Sequence, residues 1–195
     1  MQISITAPEE FTRVPWKNGL GFTLELAISE GGTMSSFDWR LSIATVSQDG
    51  VFSDFSGYWR NLVLLSGNGI ELTHSDAPTH RLIESLDVAK FNGGAVTNGQ
   101  LIDGEITDFN IMVNPDKFML DAKTYKEHMK LALSVEELAF VYAPNNDVVF
   151  AIDDTLHDLK AGHLLKLSQS SLNDDSEVLV SGKGMIVVRL SRQTV

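Results

Sequence analysis

The sequence contains no cysteine, and this absence excludes three kinds of protein. A disulfide-stapled scaffold, a thiolate metal site and a cysteine nucleophile all require that residue. Long apolar runs are also missing, because no stretch approaches the roughly 20 residues that a membrane-spanning helix needs. The first ten residues lack the charged and then apolar pattern of a signal peptide. We therefore expect a cytoplasmic protein.

Positive charge is scarce in this chain. Lys and Arg number 15 against 26 Asp and Glu residues, which gives a net charge of −11. A surface of this sign repels nucleic acid, and no run of basic residues offsets the repulsion at any site. We expect neither a nucleic-acid partner nor a membrane partner. The hydrophobic content of 43% over 195 residues is enough for one large β domain or two small fused ones.

The signatures of several common chemistries are missing as well. The chain has no Gly-x-Ser-x-Gly elbow for a serine nucleophile and no phosphate-binding Gly-x-x-x-x-Gly-Lys loop. None of the five histidines forms a His-x-His or His-x-x-x-His pair. His74 and His80 flank a loop, where solvation is the usual explanation for a histidine. We expect no bound metal and no cofactor.

Turn signals recur at short intervals, and the runs between them are rich in Val, Ile, Leu, Thr and Phe. This rhythm predicts an all-β sandwich or barrel with little helix. Ser134 with Glu three residues later predicts one short helical turn over 134–138. The predicted strands are 22–28, 38–46, 61–66, 69–73, 106–113, 117–122, 138–143, 147–152, 163–168 and 184–191.

Two glycine- or asparagine-rich turns lie between apolar runs and predict hairpins over 62–72 and 140–150. Similar segments follow both, which suggests a loose internal repeat of a small β module. Asn114-Pro115 breaks a strand between the two copies. We therefore expect two domains, residues 1–115 and 116–195, with strands exchanged between them. Exposed edge strands of such sheets often pair, so a homodimer is also expected.

Alternation along the predicted strands places polar side chains on shared faces. Thr23 and Glu25 share one face of strand 22–28, and Arg40 and Ser42 share one face of strand 38–46. If these faces converge, the guanidinium groups are well shaped to bind a carboxylate or a phosphate. Eight residues form the candidate ligand-binding site: Trp16, Asn18, Thr23, Glu25, Arg40, Ser42, Arg60 and Asn110.

Each candidate also has an ordinary structural interpretation. Glu25 and Arg40 could form a cross-strand ion pair on an exposed face, worth about 0–1 kcal/mol. Asn110 could be a hydrogen-bonding residue at a strand end, and the tryptophans could belong to the core. Trp16 lies in a turn beside Asn18, where recognition explains an indole better than packing does.

These residues carry a resemblance to the HutD/Ves family of small bacterial bicupins, which covers most of the chain. It rests on the following segments: Trp16-x-Asn18-Gly19-x-Gly21-x-Thr23-x-Glu25, Phe37-x-Trp39-Arg40-x-Ser42-x-Ala44, Gly50-x-x-Ser53-x-Phe55-x-Gly57 with Arg60, Gly67-x-Gly69-x-x-Leu72, Phe91-x-Gly93, and Asp108-x-Asn110-x-Met112. The chain departs from the family pattern at Leu20, Leu24 and Asn114-Pro115, where a glycine and two arginines are common.

The resemblance implies two cupin-like antiparallel barrels in tandem, with ligand in the interior of a barrel and no cupin metal set. It further implies a regulator of histidine utilisation that binds a small acidic metabolite without turnover, with formylglutamate or urocanate as the ligand. Two alternatives stay open. One is a metal-independent isomerase or lyase acting on a small organic acid, with Glu25 as base, and the other is a stress-induced protein of the Ves type.

Overall fold

The computed structural model describes residues 1–16, 22–134, 137–152, 155–169 and 177–193. Within these ranges the chain is almost entirely β, as the sequence predicts, with one 3-10 turn at Pro8–Glu10. No helix there is long and apolar enough to cross a membrane. The strands are β1 (Gln2–Thr6), β2 (Thr12–Pro15), β3 (Phe22–Ile28), β4 (Trp39–Val46), β5 (Gly50–Val51), β6 (Trp59–Ser66), β7 (Ile70–His74), β8 (His80–Leu82), β9 (Val88–Asn92), β10 (Thr97–Leu101), β11 (Ile106–Val113), β12 (Phe118–Tyr125), β13 (Met129–Ser134), β14 (Leu138–Tyr142), β15 (Val148–Ile152), β16 (Thr155–Leu159), β17 (Leu164–Ser168), β18 (Glu177–Gly182) and β19 (Met185–Arg192).

The chain divides into two compact units. The N-terminal unit is Phe11–Phe118, and the C-terminal unit combines Met1–Glu10 with Met119–Val195. The first ten residues belong to the C-terminal unit because β1 pairs with β17 in antiparallel register. The two-domain expectation placed these residues with 1–115, so the division in the structure differs from it at the N-terminus.

The two units repeat the same strand order. The N-terminal unit has a six-stranded sheet, β2-β3-β4-β11-β6-β9, and a four-stranded sheet, β5-β10-β7-β8. The C-terminal unit has a five-stranded sheet, β1-β17-β14-β19-β12, and a four-stranded sheet, β13-β18-β15-β16. Adding eight to each strand number of the N-terminal unit gives the strand order of the C-terminal unit. The exceptions are β2 and β3, which have no counterpart, and β1, which is an additional strand of the C-terminal unit. This order supports the duplication that the sequence suggests.

Both predicted hairpins are wrong. Strands β6 and β7 belong to different sheets, and so do β14 and β15. At Gly67-Asn68-Gly69 the chain crosses from one sheet to the other, and both glycines have positive φ (96° and 113°), which favours such a corner. Because of these crossings, each unit consists of two hydrogen-bonded sheets across its described strands, not one closed barrel.

The predicted helical turn over 134–138 falls partly on residues 135 and 136, which lie outside the described residues. On either side of them, Ser134 ends β13 and Leu138 begins β14. The segment before it, 124–133, is strand at both ends, in β12 and β13.

The corner before β7 gives a test of the fold. A Cβ at Gly69 would lie 2.5 Å from the Leu82 carbonyl oxygen and 3.2 Å from Ile83 Cα, and neither backbone atom can yield easily. Gly69→Ala should lower the free energy of unfolding by about 2–4 kcal/mol. Gly104 also has positive φ but no atom within 4 Å of such a Cβ, so Gly104→Ala should cost only about 1 kcal/mol. Urea denaturation measures both, and equal losses would contradict the close approach at the corner.

A candidate anion site on the inner face of the N-terminal unit

One face of the six-stranded sheet carries most of the predicted site. Strand β11 lies between β4 and β6, and its Asn110 pairs with Ser42 on one side. Ser42 in turn pairs with Glu25 of β3. Directly paired residues point to the same side of a sheet. Glu25, Ser42 and Asn110 therefore form one row across three strands.

Two arginines reach that row from the next one. Arg40 and Arg60 both pair with Met112, on opposite sides of β11, so they share its face. On the other side of the row, Asp108 pairs with Ala44, which pairs with Thr23. Six of the eight predicted residues thus lie on one face, which includes the pairs Thr23 with Glu25 and Arg40 with Ser42 that alternation had placed together.

This face looks into the interior of the unit. Its apolar members on β6 and β9, Leu62, Leu64 and Phe91, pack in one cluster with Ile70 and Leu72 of the facing sheet. The polar members are covered as well, since Arg40 is 2% and Asn110 3% exposed. The polar face is therefore buried in the unit and is not a solvated surface.

Arg40 is held by Glu25. Its Nε donates to Glu25 Oε2 at 2.7 Å, and the side chains are 2% and 16% exposed. The exposed-face interpretation of this pair is therefore wrong, although the two residues do form an ion pair. Arg40 Nη2 is buried and has no hydrogen-bond partner among the described residues.

Arg60 is held by a chain of side chains along β11. Its Nε and Nη2 donate to Asn110 Oδ1 at 2.9 and 2.6 Å, and Asn110 Nδ2 donates to Asp108 Oδ1. The amide thus faces a cation with its oxygen and a carboxyl with its nitrogen, which fixes its orientation. Within the described part of the chain, the buried Asp108 Oδ2 has no partner.

Aromatic rings surround the Arg60 guanidinium. Its central carbon lies 5.1 Å from the ring centre of Phe52, 5.8 Å from that of Phe55 and 5.4 Å from that of Phe91. Ring faces attract a cation and restrict its movement. This cage, together with Asn110, keeps a buried guanidinium in one place.

Burial changes the pKa of Arg60 and of Asp108, the two ends of this series of hydrogen-bonded side chains. Desolvation lowers the pKa of Arg60 to about 10, against a raising effect of Asp108 and with a smaller lowering effect of Arg40. Desolvation raises the pKa of Asp108 to about 7, although Arg60 and the hydrogen bond from Asn110 favour its ionised form. Asp108 therefore titrates near neutrality while Arg60 stays charged.

The remaining predicted residues lie at the β2–β3 end of the sheet. Trp16 Nε1 donates to Thr23 Oγ1 at 2.9 Å, so the indole and the hydroxyl satisfy each other at a partly buried position. This bond gives Trp16 a structural role beside the recognition role predicted for it. Asn18 lies outside the described residues.

Sequence reasoning placed His74 wrongly in a solvated setting. His74 is 8% exposed and its ring lies 4.5 Å from that of Phe91. Thr97 Oγ1 donates to the Ala95 carbonyl, so it accepts from His74 Nδ1, and His74 Nε2 then accepts from His80 Nδ1. Burial, and then His80, lower the pKa of His74, which agrees with this neutral form. Its alternation with Ile70 and Leu72 was the signal that could have revealed it.

The shapes and side-chain clusters near the site limit what it can hold. Two surface clefts of about 440 and 400 Å³ are lined by other residues, the first including Trp59 and Lys90 and the second including Gln2 and Lys166. In the described ranges, no three His, Asp or Glu side chains are grouped so that they could hold a metal ion. The donors on the inner face are instead guanidinium groups, which suit an anion.

The chain is similar to several known proteins. A family model described as HutD matches residues 8–188. A Pseudomonas putida protein described as an uncharacterized 21.2 kDa protein in the hutC 3′ region is 36% identical over 117 residues, which is 60% of this chain and 61% of that protein. The protein Ves of Escherichia fergusonii is 38% identical over 98 residues, half of each chain. These matched segments thus span less than two thirds of either relative.

A solved structure matches over the whole length. The structure of HutD from Pseudomonas fluorescens SBW25, in a formate condition, has 26% identity and a TM-score of 0.83, with 99% of this chain and all of that one covered. A conserved protein of unknown function from Pseudomonas aeruginosa PAO1 gives 26% and 0.82, with the same coverage. The architecture shared with these structures is cupin-like.

The buried Asp108 gives a stability test. Its pKa of about 7 exceeds the ordinary value of 3.8, so the folded protein holds this proton more tightly than the unfolded chain. That contribution is complete below pH 4 and is lost as the pH rises through 7. The stability of wild type relative to Asp108→Asn, which keeps the oxygen that accepts from Asn110, should fall by up to about 2–3 kcal/mol between pH 5 and 8. A difference that stays constant in urea denaturation across this range would contradict the assignment.

Proposed function

Because the chain belongs to the HutD family, which is associated with histidine utilisation, we propose that it binds a small dicarboxylate metabolite of that pathway. The ligand occupies the inner face of the N-terminal unit, and N-formylglutamate is the first candidate. Binding without turnover would let the protein report the level of this metabolite and so regulate the pathway.

The observation that carries the proposal is a difference between the two repeated units. The C-terminal unit has the same strand order, yet none of its described residues is a buried charged side chain, and its core includes Val141, Phe150, Val180 and Val187. The architecture therefore does not require charges at its centre. Charges in one copy alone point to binding, because burying ions costs several kcal/mol each and natural cores avoid it.

The charge balance favours an anion. Arg40 and Arg60 bring two positive charges to the inner face, and Glu25 together with the partly protonated Asp108 offsets them only in part. Arg40 Nη2 remains as a buried donor that needs an acceptor. A carboxylate oxygen supplies one and forms a charge-assisted hydrogen bond, which is stronger than a neutral one.

A second function is favoured by one observation. A carboxyl group whose pKa is about 7 can both take and give a proton at neutral pH, as a general acid or base must. Asp108 therefore fits a metal-independent isomerase or lyase acting on the same small acid better than Glu25 does, which is committed to Arg40. This alternative predicts product formation, and the binding protein predicts none.

Removal of the Arg40 donor tests the binding proposal. Arg40→Gln should weaken the binding of N-formylglutamate at least about 30-fold, because a hydrogen bond to a charged group is worth roughly 2 kcal/mol or more. Arg81→Gln, which removes an exposed arginine of the same unit, should leave the affinity unchanged. Isothermal titration calorimetry at up to millimolar ligand measures both. No heat of binding to wild type, or equal affinity of all three proteins, would refute the proposal.

The enzymatic alternative is tested separately. Wild-type protein incubated with N-formylglutamate or urocanate at pH 7 should return the compound unchanged in proton NMR spectra recorded over hours. Asp108→Asn serves as the matched control, because it removes the titrating group and keeps the side-chain size. New product signals that are absent with Asp108→Asn would show that the protein is an enzyme and would refute binding without turnover.

A further inference from the structure

We propose that Asp108 is a ligand-recognition residue that acts as a neutral acid, so that its Oδ2–H donates to an oxygen of the bound anion. The consequence is that ligand binding takes up one proton from solvent wherever Asp108 was ionised beforehand. This inference rests on the proposed function, and it assigns a second contact point for the same ligand.

Asp108 lies close to the guanidinium groups of the inner face. Arg40 reaches Glu25, and Arg60 reaches Asn110, so both heads lie at the row formed by Glu25, Ser42 and Asn110. Asp108 is two residues from Asn110 on β11 and on the same face, and its Oδ1 accepts from Asn110 Nδ2, so the Asp108 carboxyl group lies directly beside that row. One small anion at this row therefore has a guanidinium group and Asp108 Oδ2 within its reach.

The two oxygens of the Asp108 carboxyl group differ in their hydrogen bonds. Asp108 is 0% exposed, and Oδ1 already accepts from Asn110. Oδ2 has no partner in the described part of the chain, whether it carries a proton or a charge. A buried polar atom of this kind needs an oxygen or a donor beside it. Because Oδ1 is committed as an acceptor, the proton of the neutral acid resides on Oδ2.

The charge of Asp108 determines how it meets an anionic ligand. A carboxylate Oδ2 would repel the oxygen of an anionic ligand, whereas Oδ2–H can donate to it, so the ligand selects the protonated form. The raised pKa of Asp108, which follows from burial, keeps this form accessible at neutral pH. Ligand charge beside Asp108 would raise the pKa further. Affinity for the anion should therefore fall as the pH rises above 7.

Other charged groups share this interior and must be separated from Asp108. The six-stranded sheet contributes Glu25, Arg40 and Arg60, while the facing sheet contributes His74 and His80. Of these, only the histidines ordinarily titrate between pH 6 and 8. His80→Gln removes the less buried member of the histidine pair and leaves Asp108 and Asn110 of β11 unchanged. It is the matched control for a pH effect that arises from Asp108.

The experiment is calorimetric titration of the full-length protein with N-formylglutamate between pH 6 and 8, in buffers of different ionisation enthalpy. Wild type should bind about tenfold more weakly at pH 8 than at pH 6 and should take up close to one proton at pH 8. His80→Gln should show the same pH dependence and proton uptake as wild type. Asp108→Asn should show neither the proton uptake nor the pH dependence.

The possible failures are distinguishable. Wild type that binds equally well at pH 6 and 8 without proton uptake would overturn the role of Asp108 and leave the proposed function standing. A pH dependence that is lost in His80→Gln and kept in Asp108→Asn would do the same. No binding to wild type at any pH would overturn the proposed function and this inference together. Proton uptake that is the same in wild type and in His80→Gln assigns the proton without an Asp108 variant, so a poorly folded Asp108→Asn protein does not prevent a decision.

Discussion

The burial of two guanidinium groups in one small β unit is the constraint on which the N-terminal site depends. A cation removed from water must find acceptors and ring faces, or it costs the fold several kcal/mol. Arg40 receives the Glu25 carboxylate, and Arg60 receives Asn110 and a cage of three phenylalanine rings. Every one of these partners comes from a strand or loop whose position the sheet register fixes. The register therefore determines the site, and a slip by one residue would turn its polar side chains to the other face.

This dependence explains why the site could be predicted in part. Period-two alternation alone places Thr23, Glu25, Arg40 and Ser42 on common faces, and the pairing register then brings those faces together. Alternation carries no information about which distant strand lies opposite. The link from Arg60 through Asn110 to Asp108, and the approach of His74, depend on pairings between remote segments. Asp108 entered the sequence analysis only within the segment Asp108-x-Asn110-x-Met112, since its position relative to Arg60, 48 residues away along the chain, depends on strand pairing.

The strands show the same division between local and remote information. All ten predicted strands exist, nine of them within two residues of their predicted ends and β12 running three residues further, because each has a Val-, Ile- or Leu-rich run that a sheet interior requires. The strands that were missed include β1, whose residues are mostly exposed, and β10, where Asn98-Gly99 resembles a turn. Gly99 is required there for another reason: a Cβ would lie 2.5 Å from the Phe52 ring. The hairpin predictions were wrong because a glycine-rich turn has the same sequence pattern whether the chain returns to its own sheet or crosses to another.

Duplication separates what the architecture needs from what binding needs. Two copies of one strand order fold around different interiors, one with Val141 and Val187 and the other with Asn110 and two arginines. An apolar interior gains free energy from burial without any need for partners, about 25 cal/mol per Å² of apolar surface. A charged interior gives up part of that gain and must be organised by hydrogen bonds at every polar atom. Arg40 Nη2 and Asp108 Oδ2 are the atoms of the inner face where this organisation stops within the described chain, and Asn61 Oδ1, on the other face of β6, is a third such atom in the unit. Arg40 Nη2 and Asp108 Oδ2 lie on one face, where the proposed anion would supply the partners that both atoms lack.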